Sequence, residues 1–201
     1  MIAIIDYDAG NLRSVEKAFE YIGNEAIVTR NRDVLLKADK VVLPGVGSFG
    51  DAMEKLNKYN LTDTIKEIIS NNTPFLGICL GLQLMFERSE ETSGVEGLGI
   101  FKGNIVKFPQ SINLKIPHIG WNSLDFPKEG RLFKGISQGD YVYFVHSYYL
   151  QAQDKNIVTA TTEYGCHVEA SVEQGNVFAC QFHPEKSGET GLKILRNFAS
   201  V

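Results

Sequence analysis

The sequence has few cysteines, no long apolar run and no excess of basic residues. Its three cysteines, Cys79, Cys166 and Cys180, are an odd number without metal-ligand spacing, which argues against a disulfide framework or a zinc ribbon. The apolar runs are far shorter than the ~20 residues that span a bilayer. With 20 basic and 24 acidic residues, a net charge of −4, neither nucleic acid nor membrane is expected as a partner.

The start of the chain, MIAIIDYDAG, lacks the basic region and long apolar stretch of a signal peptide, so we expect a cytoplasmic location. The 201 residues are 43% hydrophobic and 22% charged, which is an ordinary globular composition. This length predicts one domain over residues 1–201. No metal-ligand cluster or cofactor motif stands out, and no cofactor is expected.

Short apolar runs alternate with amphipathic segments in the first half of the chain. The pattern predicts strands over 2–6, 25–29, 40–43 and 74–78, and helices over 11–22, 52–59, 61–70 and 80–87. This alternation is typical of βαβ units with a parallel sheet. The second half predicts strands over 104–108, 120–126, 140–150, 156–161, 167–172 and 177–182, and a helix over 191–199. We therefore expect an α/β fold with a mostly parallel central sheet flanked by helices and an antiparallel, β-rich addition.

The segment Gly77–Gly81 has the form G-x-C-x-G and lies between a predicted strand and a predicted helix. This is the cysteine version of the nucleophile elbow, a sharp turn that presents the side chain at the end of a strand. The two glycines allow strand and helix to pack closely. The alternative is a buried structural cysteine in a tight turn, because free cysteines often behave as small hydrophobic residues.

A second signal, His183-Pro184-Glu185, follows the last predicted strand. In an extended segment, residues i and i+2 point to the same side, so Glu185 could orient His183 as a base for Cys79. The alternative is a surface turn with a solvated Glu185. Both signals follow strand ends, and this edge is where open α/β sheets place their sites.

A third signal is the glycine-rich loop PGVGSFG at residues 44–50, directly after a predicted strand. Its backbone N–H groups could form an oxyanion hole together with the N–H of Leu80, the residue after Cys79. A phosphate-binding loop is the competing interpretation, although the Gly-Lys-Ser/Thr of the Walker pattern is missing. A plain turn between strand and helix is the third possibility.

These three segments, PGVGSFG, GICLGLQ and QFHPEKS, occur in the order typical of class I glutamine amidotransferases, and the resemblance covers essentially the whole chain. Further stretches, DYDAGNLRS, PHIGWN, YFVHSY and TTEYG, resemble the glutaminase subunits of imidazole glycerol phosphate synthases within this family. The resemblance implies a single flavodoxin-like, doubly wound domain that hydrolyses the side-chain amide of L-glutamine.

The resemblance also implies roles for individual residues. Cys79 would be the nucleophile, His183 the acid and base, and Glu185 the group that holds His183. The oxyanion donors would be the backbone N–H groups of Val46 or Gly47 and of Leu80. The residues implied in substrate binding are Gly45, Gln83, Glu91, His146, Ser147 and Tyr148.

The chain shows no phosphate-binding motif for a second substrate, and the resemblance implies a separate partner, a (β/α)₈-barrel cyclase that receives the ammonia in a heterodimer. Residues implied to face this partner are Asn11, Trp121, Tyr143 and Lys186. In such subunits one oxyanion donor is expected to point away until the partner binds its ligand, and glycines at positions 45 and 47 permit such a peptide flip.

Three other functions agree with parts of the sequence. The same glutaminase could supply a sugar-modifying amidotransferase, which only the identity of the partner would reveal. A non-enzymatic, cysteine-based sensor of flavodoxin-like fold would have no need of His183-Pro184-Glu185 or the glycine-rich loop, and both are present. A cysteine peptidase of this fold is disfavoured by Gln83 and the YFVHSY segment.

Overall fold

The computed structural model describes all residues from Met1 to Val201 and contains twelve strands and six α-helices. The strands are β1 (Ile2–Ile5), β2 (Ala26–Thr29), β3 (Lys40–Gly45), β4 (Phe75–Cys79), β5 (Arg88–Ser89), β6 (Gly103–Lys107), β7 (His118–Ser123), β8 (Tyr141–His146), β9 (Tyr148–Ala152), β10 (Val158–Glu163), β11 (His167–Gln174) and β12 (Val177–Cys180). The helices are α1 (Leu12–Tyr21), α2 (Arg32–Lys37), α3 (Phe49–Lys58), α4 (Leu61–Ser70), α5 (Leu80–Leu84) and α6 (Gly188–Ala199).

Ten strands form one sheet in the order β2-β1-β3-β4-β12-β11-β9-β6-β5, and β10 pairs with β11. The first five strands of this order are parallel, in the arrangement of flavodoxin-like folds. Strand β11 then pairs antiparallel with β12, β10 and β9. The predicted α/β class, with its parallel centre and antiparallel addition, is confirmed. The carboxyl ends of β3, β4 and β12 lie side by side, and the predicted site follows these ends.

Helices cover both faces of the parallel strands, which explains why these strands are continuous apolar runs. Within β1, Ala3 and Ile5 pack into one core cluster, whereas Ile2 and Ile4 pack into the cluster on the opposite face. All four side chains are buried. None of the six helices combines the length and the hydrophobicity that a bilayer-spanning helix needs.

Strands β7 and β8 pair antiparallel with each other and form a separate two-stranded sheet, called the ribbon below. The prediction of one strand over 140–150 is therefore wrong. The chain turns at Ser147, so β8 belongs to the ribbon and β9 belongs to the main sheet. Aromatic and β-branched residues, which favour strands, occur on both sides of Ser147, which is why the sequence shows no break.

Several helices also differ from the prediction. Helix α2 is not predicted because it has only six residues, but the Asn31 side chain caps it by accepting hydrogen bonds from the backbone N–H groups of Asp33 and Val34. The predicted helix 80–87 ends at Leu84, because Arg88 and Ser89 pair with β6 instead. Helix α3 begins at Phe49, where Ser48 of the glycine-rich loop serves as its cap.

Candidate active site

Cys79 is the last residue of β4 and immediately precedes α5. Its backbone is strained, with φ of 54° and ψ of −107°, a region that residues other than glycine rarely adopt. A Cβ atom on Gly81 would lie 1.8 Å from the carbonyl oxygen of Leu43, and one on Gly77 would lie 2.6 Å from the sulfur of Met85. Both glycines are thus required by close packing, as the elbow interpretation predicts.

His183 and Glu185 form a buried pair beside the elbow. Nδ1 of His183 lies 2.7 Å from Oε1 of Glu185, and the two side chains are 1% and 0% exposed. The segment is not extended as assumed from the sequence: a short 3₁₀ helix, Pro184–Lys186, brings Glu185 back to the imidazole. The predicted contact therefore exists, and it arises from a turn.

The imidazole of His183 is set up to carry a proton. Burial lowers its pKa, but the interactions with Cys79 and Glu185 outweigh burial and raise the pKa from 6.5 to about 10. Its Nε2 atom is buried and has no hydrogen-bond partner. This nitrogen is therefore free to exchange a proton with Cys79 or with a bound substrate.

Glu185 has a second hydrogen-bond donor, Asn11. Nδ2 of Asn11 lies 2.6 Å from Oε1 of Glu185, the same oxygen that bonds to His183. Asn11 precedes α1 in the left-handed conformation, with φ of 71°, and its side chain does not cap the helix. The resemblance implies that Asn11 faces a partner, and the structure places its amide against Glu185 of the buried pair.

The glycine-rich loop begins at the end of β3. The Tyr7 hydroxyl donates a hydrogen bond to the Pro44 carbonyl at 3.0 Å, and Gly45 leaves no space for a side chain, because a Cβ atom there would lie 2.2 Å from that hydroxyl. Val46 and Gly47 are exposed, and Gly47 has φ of 102° with open space around its Cα atom. The base of this loop is fixed, whereas its tip is free to turn.

A cavity of about 270 Å³ joins these elements. It is lined by Val46, Gly47, Cys79, Leu80, Gln83, Glu91, Pro117, Val145, His146, Ser147, Tyr148 and His183. All the predicted oxyanion and substrate-binding residues therefore lie in one cavity except Gly45, which is buried beneath the loop. Three larger grooves, of about 490, 780 and 800 Å³, contain none of the predicted site residues.

Two predicted substrate-binding side chains already have partners within the chain. Nε2 of Gln83 donates to the Tyr148 carbonyl at 3.2 Å, and Oε2 of Glu91 accepts the backbone N–H of Phe49 at 2.7 Å. The Glu91 bond attaches the start of α3 to the cavity wall. These bonds hold both side chains in place at the edge of the cavity.

Gln181, a residue that the sequence analysis did not single out, contacts Cys79. It is completely buried, and its Nε2 lies 3.7 Å from the Cys79 sulfur. Its Oε1 accepts a hydrogen bond from Gln83 at 3.0 Å. The available signal was its position two residues before His183, which favours the same side of an extended segment.

His146 and His118 form a buried pair that connects the cavity with the ribbon. Nδ1 of His118 lies 3.0 Å from Nε2 of His146, and Nδ1 of His146 lies 2.8 Å from the Tyr148 carbonyl. Because a carbonyl can only accept, His146 must donate from Nδ1 and accept at Nε2. Burial lowers the pKa of His118 to about 4 and, with neighbouring imidazoles, that of His146 to about 3, so both are neutral at physiological pH.

The outer face of the ribbon is apolar and exposed. Ile119, Trp121 and Tyr141 are 58%, 55% and 57% exposed, so Trp121 is not a core residue. Trp121 packs edge-to-face against Tyr143 with ring centroids 6.2 Å apart. Lys186, the residue after Glu185, is exposed. An exposed apolar face of this kind is typical of an interaction surface.

Comparisons with known proteins agree with this geometry. The profile of the family described as "Glutamine amidotransferase class-I" matches residues 3–201. The imidazole glycerol phosphate synthase subunit HisH of Caldanaerobacter subterraneus subsp. tengcongensis is 54% identical, covering 100% of this chain and 98% of that protein. The subunit HisH of Methanocaldococcus jannaschii is 51% identical and covers 100% of both chains.

Solved structures of low sequence identity share the fold. A crystal structure of a glutamine amidotransferase has a TM-score of 0.78 at 17% identity, covering 100% of this chain and 98% of the other. The structure of PurLQS from Thermotoga maritima has a TM-score of 0.76 at 20% identity, covering 99% and 97%. The family match covers nearly the whole chain, and the elbow and the His183–Glu185 pair agree with it, so the chain belongs to the class-I glutamine amidotransferases.

Proposed function

We propose that residues 1–201 form one amidotransferase domain, the glutaminase subunit of an imidazole glycerol phosphate synthase, which releases ammonia from L-glutamine for histidine biosynthesis. The observation that carries the chemistry is His183, whose Nδ1 bonds to Glu185 at 2.7 Å while its buried Nε2 remains free beside Cys79. The identity of 54% with a HisH subunit over the whole chain supports the pathway.

In the first half of the reaction, the Cys79 thiolate attacks the side-chain carbonyl carbon of glutamine. The carbon–nitrogen bond breaks, the imidazolium of His183 gives its proton to the leaving nitrogen, and ammonia departs. A γ-glutamyl thioester remains on Cys79. The raised pKa of His183, about 10, supports the role of proton donor at neutral pH.

In the second half, neutral His183 takes a proton from water, and the resulting hydroxide attacks the thioester. The carbon–sulfur bond breaks, glutamate leaves, and the thiolate and the imidazolium are restored. Glu185 stabilises the imidazolium in both halves of the cycle, because its carboxylate is held against Nδ1.

The negative charge that develops on the substrate oxygen needs donors on the opposite side of the cavity. Leu80, at the start of α5, supplies one backbone N–H, and Val46 or Gly47 in the glycine-rich loop supplies the other. Each donor of this kind contributes about 10²–10³ in rate. Gln83, Glu91 and the segment 146–148 hold the rest of the substrate.

The exposed face of the ribbon is the proposed binding surface for the partner, a (β/α)₈-barrel cyclase that incorporates the ammonia into its product. Trp121 is the proposed anchor because aromatic side chains dominate interface energies. Tyr143 packs against Trp121, and Asn11 and Lys186 are the other residues of the proposed interface. The heterodimer is proposed to work in the cytoplasm.

The test measures glutamate release from L-glutamine by the chain alone, with the cyclase of the same genome, and with cyclase plus its ribotide ligand. We expect strong activity only in the complete mixture, and none after Cys79→Ala. Cys166→Ala is the matched control, because Cys166 lies outside the cavity and should leave activity unchanged. Activity retained in Cys79→Ala would refute the mechanism, and a chain that is fully active alone would refute the dependence on a partner. Absence of activation would point to another ammonia acceptor, such as a sugar-modifying enzyme.

A further inference from the structure

We propose that Gln181 is a catalytic residue: its amide N–H donates a hydrogen bond to the Cys79 sulfur and stabilises the thiolate. Gln181 is 0% exposed, and its Nε2 lies 3.7 Å from Sγ of Cys79. The contact itself does not depend on the substrate, but the role in turnover rests on the proposed function.

The orientation of the Gln181 amide follows from its neighbours. The Tyr148 carbonyl can only accept, so the Gln83 atom 3.2 Å away is the amide nitrogen. That nitrogen also lies 3.0 Å from Gln181, so the Gln181 atom facing it must be the accepting oxygen. The nitrogen of Gln181 is therefore the atom that faces sulfur, and a backbone carbonyl determines the direction of the whole chain of hydrogen bonds.

The Val145 carbonyl lies 4.0 Å from the Cys79 sulfur and can accept the thiol proton's hydrogen bond, and two different side chains also lie beside the sulfur. His183 can carry the thiol proton, whereas Gln181 is a neutral donor that cannot take it. A preorganised donor next to a buried negative charge stabilises it without competing for the proton. Gln83 lines the proposed substrate cavity and also holds Gln181 by a hydrogen bond, so it helps to position the donor to Cys79.

A purely structural role predicts different behaviour. If Gln181 only fills space in the core, its replacement should change stability and leave the reactivity of the sulfur unaltered. If Gln181 donates to the sulfur, the reactivity of Cys79 should change even in a variant that is folded. The test therefore measures the thiol directly, in addition to turnover.

The test measures the rate of alkylation of Cys79 by iodoacetamide, with the modified peptides separated by mass spectrometry and Cys166 as an internal reference. In Gln181→Met, which is similar in size but has no N–H, we expect alkylation at neutral pH to slow about tenfold and kcat to fall by a similar factor, with KM nearly unchanged. Gln151→Met, at an exposed position of β9, is the matched control and should behave like the wild type.

Gln181→Glu adds a pH signature that a structural role would not produce. The ionised carboxylate places negative charge next to sulfur, so alkylation should be slow at neutral and alkaline pH. In acid the carboxyl group carries a proton and can donate to sulfur again, so the deficit relative to the wild type should shrink. Gln151→Glu should show no such change.

Gln83→Met covers the case in which Gln181 variants do not fold, because Gln83 makes no hydrogen bond to the sulfur itself and is linked to it by the hydrogen bond to Gln181. We expect slower alkylation of Cys79 there, by a smaller factor. Wild-type alkylation rates in folded Gln181→Met and Gln181→Glu would overturn the proposal, as would a wild-type rate in Gln83→Met. Failure of the proposed function would show differently, as a wild-type complex that releases no glutamate while the alkylation differences persist.

Discussion

The nucleophile elbow and the glycine-rich loop face each other across one cavity, and they are built in opposite ways. In the elbow, Gly77 and Gly81 are surrounded by atoms, and a Cβ on Gly81 would lie 1.8 Å from the Leu43 carbonyl oxygen. In the loop, Gly47 has φ of 102°, a Cβ atom there would have no neighbour within 4 Å, and Val46 is 38% exposed. Glycine thus serves close packing in one region and conformational freedom in the other.

This difference separates what the chain fixes by itself from what remains adjustable. The position of the Cys79 sulfur is determined by the core, because strand and helix cannot approach in another way. The tip of the loop, which is proposed to supply one oxyanion donor, has space to reorient. Control of the activity by a partner is therefore expected to act on the loop.

The largest expected effect comes from adding a methyl group at Gly81, which is closely surrounded by other atoms. Gly81→Ala should destabilise the fold by more than about 3 kcal/mol, because the new methyl group has no space and must displace backbone. Gly47→Ala is the matched control: only its positive φ opposes the substitution, at a cost of about 1–2 kcal/mol. Urea unfolding monitored by circular dichroism measures both, and equal losses in the two variants would contradict the contrast between elbow and loop.

Acid should destabilise the part of the cavity wall that contains His146, because His146 is held by a hydrogen bond with His118. The pKa of His118, about 4 in the fold, lies below the ordinary 6.5, so below pH 6.5 the unfolded chain binds protons more readily than the folded chain. Stability should fall by up to about 3 kcal/mol between pH 6.5 and 4 from this group alone. His183 has the opposite effect, because its pKa in the fold is higher than the ordinary 6.5. Its contribution to stability is present at low pH and is lost as pH rises through about 10.

The contribution of His118 can be isolated with His118→Asn, which keeps a donor for His146 but does not titrate. Unfolding free energies measured from pH 6.5 to 4 should fall less steeply in this variant than in the wild type. His167→Asn is the control, because His167 is exposed and pairs only with Glu163 at the surface. Parallel curves for the wild type and His118→Asn would show that the pair is not the acid-sensitive element.

The smallest expected effect concerns Asn11, which donates a hydrogen bond to Glu185 beside His183. Asn11→Gly keeps the left-handed backbone but removes the donor to Glu185, so kcat should fall about tenfold with little change in KM. Asn60→Gly is the matched control, because Asn60 precedes α4 with φ of 54° and also leaves its helix uncapped. Steady-state kinetics of the complete synthase would separate the two, and equal rates would mean that Asn11 is present for its backbone alone.

The sequence predicted features that depend on local pattern. The alternation of short apolar runs with amphipathic segments predicts the parallel half of the sheet, and Cys79 between two glycines predicts the elbow. The break at Ser147 is not predicted because strand-favouring aromatic and β-branched residues occur on both sides of it, and α2 is not predicted because six residues carry little periodicity. These errors arise where tertiary pairing, and not local preference, decides the structure.

Contacts between distant segments left no signal in the sequence. Asn11 and Glu185 are 174 positions apart, and their hydrogen bond depends on α1 and the 3₁₀ helix meeting beside the sheet. The His118–His146 pair depends on the register of the ribbon. Gln181 is an intermediate case, since its spacing from His183 was visible but its link to Gln83 was not.

The strained backbone of Cys79 has a consequence for protein engineering. Its φ of 54° and ψ of −107° suit glycine better than cysteine, and such conformations carry about 1–3 kcal/mol of strain. A mutant library ranked by heat resistance alone would therefore favour glycine at position 79 and discard the enzyme. Thermostable variants of this chain need a selection that requires turnover, because stability and chemistry make opposite demands on this one residue.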